Sequence, residues 1–110
     1  MPEGKDLEVA IIAKPESPDA VRLVLKGRLT WTTADQFSTR LLKLCDEGIL
    51  HVEADLGEVT YIDTSGLEAF ITAQKTISGI NGSLKITNVT PLIRQRFTTT
   101  HLDQVLSLGP

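Results

Sequence analysis

The sequence predicts an α/β fold: a mixed sheet with an opening β-hairpin, then alternating helices and strands, with the helices mainly on one face. Two observations lead to this class. After the hairpin, the spacing of apolar residues switches between two, typical of strands, and three to four, typical of helices. The later strands alternate apolar and polar residues, whereas a parallel strand covered on both faces is apolar throughout. We therefore expect helices on one face and water on the other.

The opening hairpin is predicted from the first 30 residues. Residues 7–13 are rich in valine, isoleucine and alanine, and residues 15–19 contain the proline, serine and aspartate of a turn. Apolar and charged residues alternate over residues 21–26, as in a half-buried strand. Gly27 is expected to end this second strand, and residues 28–33 to form a short connection.

The first helix is predicted to begin after Thr33 and to stop at Gly48. Thr33 and Gln36 have the spacing of a capping box, and glycine commonly follows a helix C-terminus. Apolar residues recur between them at helical spacing: Ala34, Phe37, Leu41, Leu44 and Cys45. Cys45 is the single cysteine, so it cannot form an internal disulfide, and its place on this stripe predicts a core thiol.

The third and fourth strands are predicted over residues 51–56 and 83–87, where apolar and polar residues alternate. His51 falls on the polar side of the third strand. It is therefore expected to be a solvated strand residue and not a ligand. Val105 and Leu106 are predicted to close the sheet as a last short strand.

Two more helices are predicted after the third and fourth strands. One follows Ser65 and ends near Gly79. The other begins with Thr90 as N-cap and Pro91 at the first helical position, where the missing N–H costs nothing. The hydroxyl-rich residues 98–101 are expected to end it.

The composition excludes several classes of protein. The chain has 110 residues, 41% hydrophobic and 23% charged, which predicts one globular domain over residues 1–110. A net charge of −3 gives no support for a nucleic-acid partner. No apolar run approaches the roughly 20 residues of a membrane helix, and the N-terminus lacks a signal-peptide pattern. We expect a cytoplasmic protein with no nucleic-acid or membrane partner.

The sequence lacks recognisable catalytic motifs. Asp63-Thr64-Ser65-Gly66 differs from the Asp-Thr/Ser-Gly signature of aspartic proteases, because Ser65 separates the glycine from its place. Nothing in the sequence brings His51 or His101 near Ser65, as a serine hydrolase requires. Phosphate-binding loops and metal-ligand clusters are missing as well. We expect no enzyme activity, no cofactor and no metal.

The segment that joins the third strand to the second helix is the most informative about function. It reads Asp55-Leu56-Gly57-Glu58-Val59-Thr60-Tyr61-Ile62-Asp63-Thr64-Ser65-Gly66-Leu67. Ser65 and Glu68 have the spacing of a capping box, so Ser65 is predicted as the N-cap. The helix start carries partial positive charge and unpaired N–H groups, which favour an added anion. The hydroxyls of Thr64 and Ser65 therefore suit either a helix cap alone or a phosphorylation site.

Residues 55–67 resemble the central motif of STAS domains, in particular of bacterial anti-sigma factor antagonists. The resemblance covers nearly the whole chain. Gly27 precedes the first helix as in that family, residues 82–86 are similar to its glycine turn into the fourth strand, and residues 91–97 are similar to its third helix. The resemblance implies a STAS-type mixed sheet.

The resemblance also implies a phosphorylation-controlled switch. In the family, an ATPase-type anti-sigma factor kinase phosphorylates the hydroxyl after the motif's aspartate, and a phosphatase resets it. That hydroxyl maps to Thr64, with Ser65 as the second choice. The unmodified antagonist binds the kinase and so frees a sigma factor for transcription. The implied partner-binding residues are Asp63, Thr64, Ser65, Gly66, Leu67, Arg28 and Thr30.

An alternative from another functional class stays open. The resemblance to STAS domains also fits an adaptor subunit of a transport or signalling complex, which acts without phosphorylation. The two interpretations differ in the role of Thr64, which is a switch in the first and only a surface residue in the second.

Overall fold

The computed structural model describes residues 7–100 and 107–108, and it contains a mixed sheet with three helices. The elements are β1 (Leu7–Ala13), β2 (Ala20–Leu29), α1 (Ala34–Asp46), β3 (His51–Ile62), α2 (Thr64–Gly79), β4 (Ser83–Thr87), α3 (Pro91–Thr99) and β5 (Ser107–Leu108). The strands lie in the order β1-β2-β3-β4-β5. The predicted α/β class and the order of the elements through α3 are confirmed.

The pairing of the strands confirms the opening hairpin. β1 and β2 are antiparallel, with Leu7 opposite Gly27 and Ala13 opposite Val21. β2, β3, β4 and β5 are parallel to one another. Val105 and Leu106, predicted as the last strand, lie outside the described residues.

Two predicted strand ends were wrong, and irregular pairing explains both. Gly27 does not end β2: the strand passes through it with a φ of 113° and continues to Leu29. β3 continues to Ile62 and does not stop at Leu56. The β2–β3 register shifts between Val24 and Lys26 and again after Gly27. Such bulges interrupt the alternation on which strand prediction depends.

The core lies between the sheet and the three helices. Leu23, Ala54 and Ile86 come from three neighbouring strands and are fully buried. Each helix contributes one buried phenylalanine to a continuous aromatic contact: Phe37 of α1, Phe70 of α2 and Phe97 of α3. The ring centroids are 4.8 Å apart for the first pair and 6.0 Å for the second. This geometry is favourable for tilted aromatic pairs and holds the three helices on the same face.

The other face of the sheet is polar, as predicted. Lys14 Nζ lies 3.0 Å from Glu53 Oε1, and Arg22 forms an ion pair with Asp55. Asp55 is only 7% exposed, so it is more buried than a solvated face implies. Burial raises the pKa of its carboxyl, but hydrogen bonds from the Gly57 amide, Arg22 and Asn88 outweigh burial and leave that pKa below its usual value.

The ends of α1 follow the predicted boundaries but not the predicted capping box. Thr33 occupies the N-cap position, yet its hydroxyl donates to the Arg28 carbonyl at 2.8 Å and makes no cap bond. The side-chain amide of Gln36 donates from Nε2 to the Leu7 carbonyl, 2.8 Å away, so the capping box is absent. At the other end, Gly48 has a φ of 97° and its amide donates to the Cys45 carbonyl. Cys45 is half-buried against the core, and burial raises the pKa of its thiol.

The remaining helix ends agree more closely with the sequence analysis. α2 ends at Gly79, and Thr90 caps α3, accepting from the Ile93 amide at 3.4 Å. α3 runs to Thr99, slightly further than predicted. His51 is exposed, as expected. Among the helices of residues 7–100, none has the length and apolar character needed to cross a bilayer.

Candidate docking surface around Thr64

The candidate site lies where β2 and β3 end side by side. Leu29 pairs with Ile62 in the last step of the parallel ladder. The Asp63 amide then donates to the Leu29 carbonyl at 3.2 Å. Because both strands run in the same direction, the loop into α1 and the start of α2 meet at the same edge of the sheet. Trp31 and Thr64 are thereby brought to one surface.

Asp63 is the residue that joins these two connections. Its Oδ1 accepts from the Gly66 amide at 2.9 Å, which makes Asp63 the N-cap of α2. Its Oδ2 accepts from the Trp31 amide at 3.0 Å. The predicted cap at Ser65 was wrong, since α2 begins at Thr64 and Ser65 lies inside the helix. A carboxylate at the strand end reaches both loops, whereas a hydroxyl two residues further on does not.

Gly66 allows α2 to start close against β2. A Cβ at this position would lie 2.5 Å from the Leu29 carbonyl oxygen and 2.8 Å from Ile62 Cγ1. Both distances are well below van der Waals contact, so a side chain here would force the helix away from the sheet. Gly66 therefore fixes the position of Thr64.

The predicted partner-binding residues divide by exposure. Thr64 and Arg28 are exposed, and Asp63 and Ser65 are half-buried. Gly66, Leu67 and Thr30 are buried, so they support the surface from beneath. Thr30 Oγ1 lies 2.9 Å from Thr32 Oγ1 inside the loop.

An open cleft of about 380 Å³ separates the start of α2 from α3. It is lined by Asp63, Thr64, Leu67, Leu92, Gln95, Arg96, Thr99 and Thr100. Thr64 stands at the first helical position on the rim, where the backbone N–H groups have no partner within the helix. The cleft is large enough for a small group attached to the Thr64 hydroxyl.

Two arginines near the motif share one aromatic ring, and one of them, Arg96, lines the cleft. The guanidinium carbons of Arg28 and Arg96 lie 5.4 Å and 5.3 Å from the centroid of the Tyr61 ring. These distances are within the range of a cation–π interaction. Tyr61 immediately precedes Ile62 and Asp63, so both positive charges are held beside the motif.

Two large apolar side chains are exposed at the same end. Trp31 is 76% exposed and Leu92 is 61% exposed. Neither of them was expected at the site from the sequence, nor were the ring of Tyr61 and the charge of Arg96. The exposure of Leu92 could have been predicted. Ile93 and Phe97 form the buried stripe of α3 at a spacing of four, and Leu92 lies off that stripe.

A serine, a histidine and an aspartate do meet at the opposite end of the strands. His51 Nδ1 lies 2.8 Å from Ser83 Oγ, and His51 Nε2 lies 4.0 Å from Asp19 Oδ2. His51 and Ser83 are exposed. The Ser83 amide already donates to the Leu50 carbonyl at 2.8 Å, so it cannot stabilise an oxyanion. Residues 7–100 contain no cluster of three metal-ligating side chains.

The chain is similar to known proteins in sequence and in fold. The sequence model of a family described as "Mlab, STAS domain" matches residues 12–108. A curated relative, the putative anti-sigma factor antagonist BtrV of Bordetella bronchiseptica, is 29% identical over 73 residues. That match covers 66% of this chain and 63% of the relative, which is less than two thirds of the relative's length.

Solved structures share the fold at low sequence identity. An anti-sigma factor antagonist from Mycobacterium paratuberculosis gives a TM-score of 0.81 at 15% identity, covering 100% of this chain and 89% of that one. Unphosphorylated SpoIIAA gives 0.72 at 12% identity, covering 94% and 88%. SpoIIAA of Bacillus in its phosphorylated form gives 0.71 at 13% identity, covering 94% and 92%. With the family match over most of its length, the chain belongs to the STAS domain family.

Proposed function

We propose that this STAS domain is an anti-sigma factor antagonist controlled by phosphorylation at Thr64. Unmodified, it sequesters an ATPase-type anti-sigma factor kinase in the cytoplasm and so frees a sigma factor for transcription. Phosphorylated, it releases that partner, and a phosphatase resets it. The domain catalyses nothing in this scheme, because the kinase supplies the nucleotide.

The accessibility of Thr64 carries this proposal. Its side chain is exposed on the rim of an open cleft, whereas the neighbouring Asp63 is committed to two backbone hydrogen bonds and Ser65 is half-buried. A kinase must reach the hydroxyl that it modifies. Of the adjacent hydroxyls, Thr64 meets that condition better than Ser65.

The surroundings of Thr64 suit a protein partner of particular chemistry. Exposed Trp31 and Leu92 offer apolar contact, and tryptophan is common among residues that dominate binding energy. Arg28 and Arg96 add positive charge to a chain whose net charge is −3. The expected partner surface therefore combines an apolar pocket with acidic residues.

A phosphate on Thr64 would change this surface electrostatically without unfolding it. The group adds about −1.5 to −2 charges at neutral pH. At the first position of α2 the helix dipole favours that charge, so the helix itself is not weakened. A docked partner would instead meet a bulky dianion beside Asp63 and the exposed Glu68. Partner release then follows from charge repulsion and desolvation.

The relatives support the same class of function. BtrV is named as a putative anti-sigma factor antagonist, and SpoIIAA is known in unphosphorylated and phosphorylated forms.

Mass spectrometry after incubation with ATP and each ATPase-type anti-sigma factor of the source genome tests the proposal. We expect one phosphate on the peptide that contains Thr64. Thr64→Ala should abolish it, and the matched variant Ser65→Ala should leave it unchanged. Phosphate on neither residue with every kinase would refute the switch.

The adaptor interpretation is the second candidate, and a negative charge near Thr64 favours it. Glu68, exposed one turn from Thr64, would repel a phosphate. An adaptor should bind its complex equally well with Thr64→Ala and Thr64→Glu, whereas an antagonist should lose its partner only with Thr64→Glu.

A further inference from the structure

The outer edge of the sheet at β1 is open. β1 ends the strand order, and within residues 7–100 and 107–108 no strand pairs with its outer side. It is seven residues long and pairs with β2 without a register shift. Residues 9–13 are uncharged and contain no proline, and Ile11 and Ile12 are 43% and 45% exposed. Natural edge strands usually carry charges, prolines or bulges that prevent pairing.

A cleft lies directly beside this edge. It has a volume of about 550 Å³ and is bounded by Ile11 on β1 and by α1. The residues of α1 that line it are Thr39, Arg40, Lys43, Leu44 and Glu47. An added strand would therefore find unpaired backbone groups on β1 and an apolar floor formed by Ile11 and Leu44.

We propose that β1 pairs with β1 of a second copy of this chain, antiparallel and centred on Ile11. Antiparallel pairing puts the amides and carbonyls of alternate residues on the outer edge, ready for a partner strand. In this register Ile11 meets Ile11 of the partner subunit, and Val9 meets Ala13 of the partner subunit. The isoleucine pair fills the cleft from both sides.

Charge complementarity favours this register. Pairing about Ile11 places Glu8 opposite Lys14 of the partner subunit, at both ends of the contact by symmetry. Glu8 is exposed, and Lys14 is half-buried beside Glu53, with Nζ 3.0 Å from Oε1. Opposite charges that face each other across an antiparallel pair are stabilising. A shift of two residues would remove both pairs.

The proposed dimer leaves the Thr64 surface free and does not depend on its function. β1 runs antiparallel to β2, and Leu7 pairs with Gly27 near the end that carries Thr64. A two-fold axis through Ile11, perpendicular to the sheet, turns the second Thr64 surface to the opposite end. One dimer thus presents two separate docking surfaces.

Sedimentation equilibrium of the full chain tests the dimer. We expect a dimer for the native sequence and a monomer for Ile11→Lys, because two lysines would face each other at the axis. Ile80→Lys is the matched control: Ile80 is 41% exposed near the end of α2, away from the edge. It should remain dimeric. A monomeric native chain, or a dimer unaffected by Ile11→Lys, would overturn the proposal.

Disulfide cross-linking tests the register without a destabilising charge. In a Cys45→Ser background, Ile11→Cys should form an intermolecular disulfide, since directly paired Cα atoms lie about 5.5 Å apart. Ala13→Cys should not, because the two copies are offset by four residues, or roughly 14 Å. Equal cross-linking of the two variants would contradict the register.

A charge exchange tests the ends of the same contact. Glu8→Lys alone should raise the dimer dissociation constant roughly tenfold, because it places lysines opposite Lys14 twice by symmetry. Adding Lys14→Glu to this variant should restore most of the affinity. Lys14→Glu also breaks the contact with Glu53 in the same chain, so urea denaturation must show that both variants stay folded. If the folded double variant binds no better than the single one, the Ile11-centred pairing is refuted.

Discussion

Each end of the parallel strands has a backbone hydrogen bond between neighbouring segments, but the exposed side chains at the two ends differ. At the Thr64 end, the Asp63 amide donates to the Leu29 carbonyl at 3.2 Å. At the opposite end, the Ser83 amide donates to the Leu50 carbonyl at 2.8 Å. Trp31 is 76% exposed at the first end, whereas His51 and Ser83 form a small polar pair at the second. Ile80 at the second end is 41% exposed, so the larger exposed areas of Trp31 and Leu92, and not the close backbone packing, distinguish the docking surface.

A glycine makes the close approach possible at each end. A Cβ on Gly66 would lie 2.5 Å from the Leu29 carbonyl oxygen, and a Cβ on Gly82 would lie 2.1 Å from that of Leu50. Both glycines are therefore required by packing alone. Their necessity carries no information about which end binds a partner.

The largest expected effect concerns these two glycines. Gly66→Ala and Gly82→Ala should each lower the free energy of unfolding by about 3 kcal/mol, because backbone must move to admit the methyl group. Urea denaturation measures both. Gly79→Ala is the control, since a Cβ there meets no atom within 4 Å. A tolerated Gly66→Ala would contradict the close contact that positions Thr64.

Substitutions at the two ends should differ most clearly in their effect on the affinity for a partner. Trp31→Ala is expected to weaken binding of the proposed anti-sigma factor partner by about 2 kcal/mol, as for a dominant interface residue. Ile80→Ala at the other end should not change it. Both variants should keep the free energy of unfolding within about 0.5 kcal/mol, since both side chains are exposed. Titration calorimetry and urea denaturation provide the two measurements, and equal affinities for the two variants would remove the distinction.

The aspartates at the two ends should differ in stability by a smaller amount. Asp63→Ala removes hydrogen bonds to two amides and should cost about 1–2 kcal/mol of unfolding free energy. Asp63→Asn should recover part of that loss, because its amide oxygen can still cap α2. Asp19→Ala should cost less than about 0.5 kcal/mol, since its side chain is exposed and lies 4.0 Å from His51. Similar losses for Asp19→Ala and Asp63→Ala would show that Asp63 does not stabilise the contact between the two connections.

The smallest expected effect is the acid response of the polar sheet face. Asp55 has a pKa below its usual value, so its contribution to stability is complete above about pH 4 and is lost as the pH falls through the lowered pKa. Asp55→Asn should make the loss of stability in acid shallower. Asn88→Ala, which removes one hydrogen bond but keeps the carboxylate, should reduce the loss only in part. Denaturation curves at several acidic pH values give the free energy of unfolding as a function of pH. The same slope for the native chain and for Asp55→Asn would contradict the role of Asp55.

Much of the fold was predictable because local patterns and tertiary packing agree. Thr90 and Pro91 start α3, and Gly48 follows α1, as their intrinsic preferences require. The end of β3 was missed for a physical reason. Beyond Leu56 its buried residues are Val59 and Ile62, at a spacing of three, because bulges interrupt the alternation.

The site was only partly predictable, since its charges and apolar side chains come from distant segments. The sequence pointed to Thr64 through the motif and the helix start. It did not identify the N-cap, because Asp63 and Ser65 both have capping chemistry, and only the structure shows that the Gly66 amide donates to Asp63 Oδ1. The cleft depends on the approach of α3 to α2, which no local pattern specifies. Arg96 was therefore recognised as part of the site only from the structure.

Titration calorimetry with one anti-sigma factor and two forms of the chain tests the central claim most directly. One form is unmodified, and the other carries a phosphate on Thr64. We expect at least about a tenfold weaker affinity for the phosphorylated form, which corresponds to about 1.4 kcal/mol. Ser83→Glu, which adds negative charge at the opposite end, should bind like the unmodified chain. Equal affinity of the two forms would contradict the account.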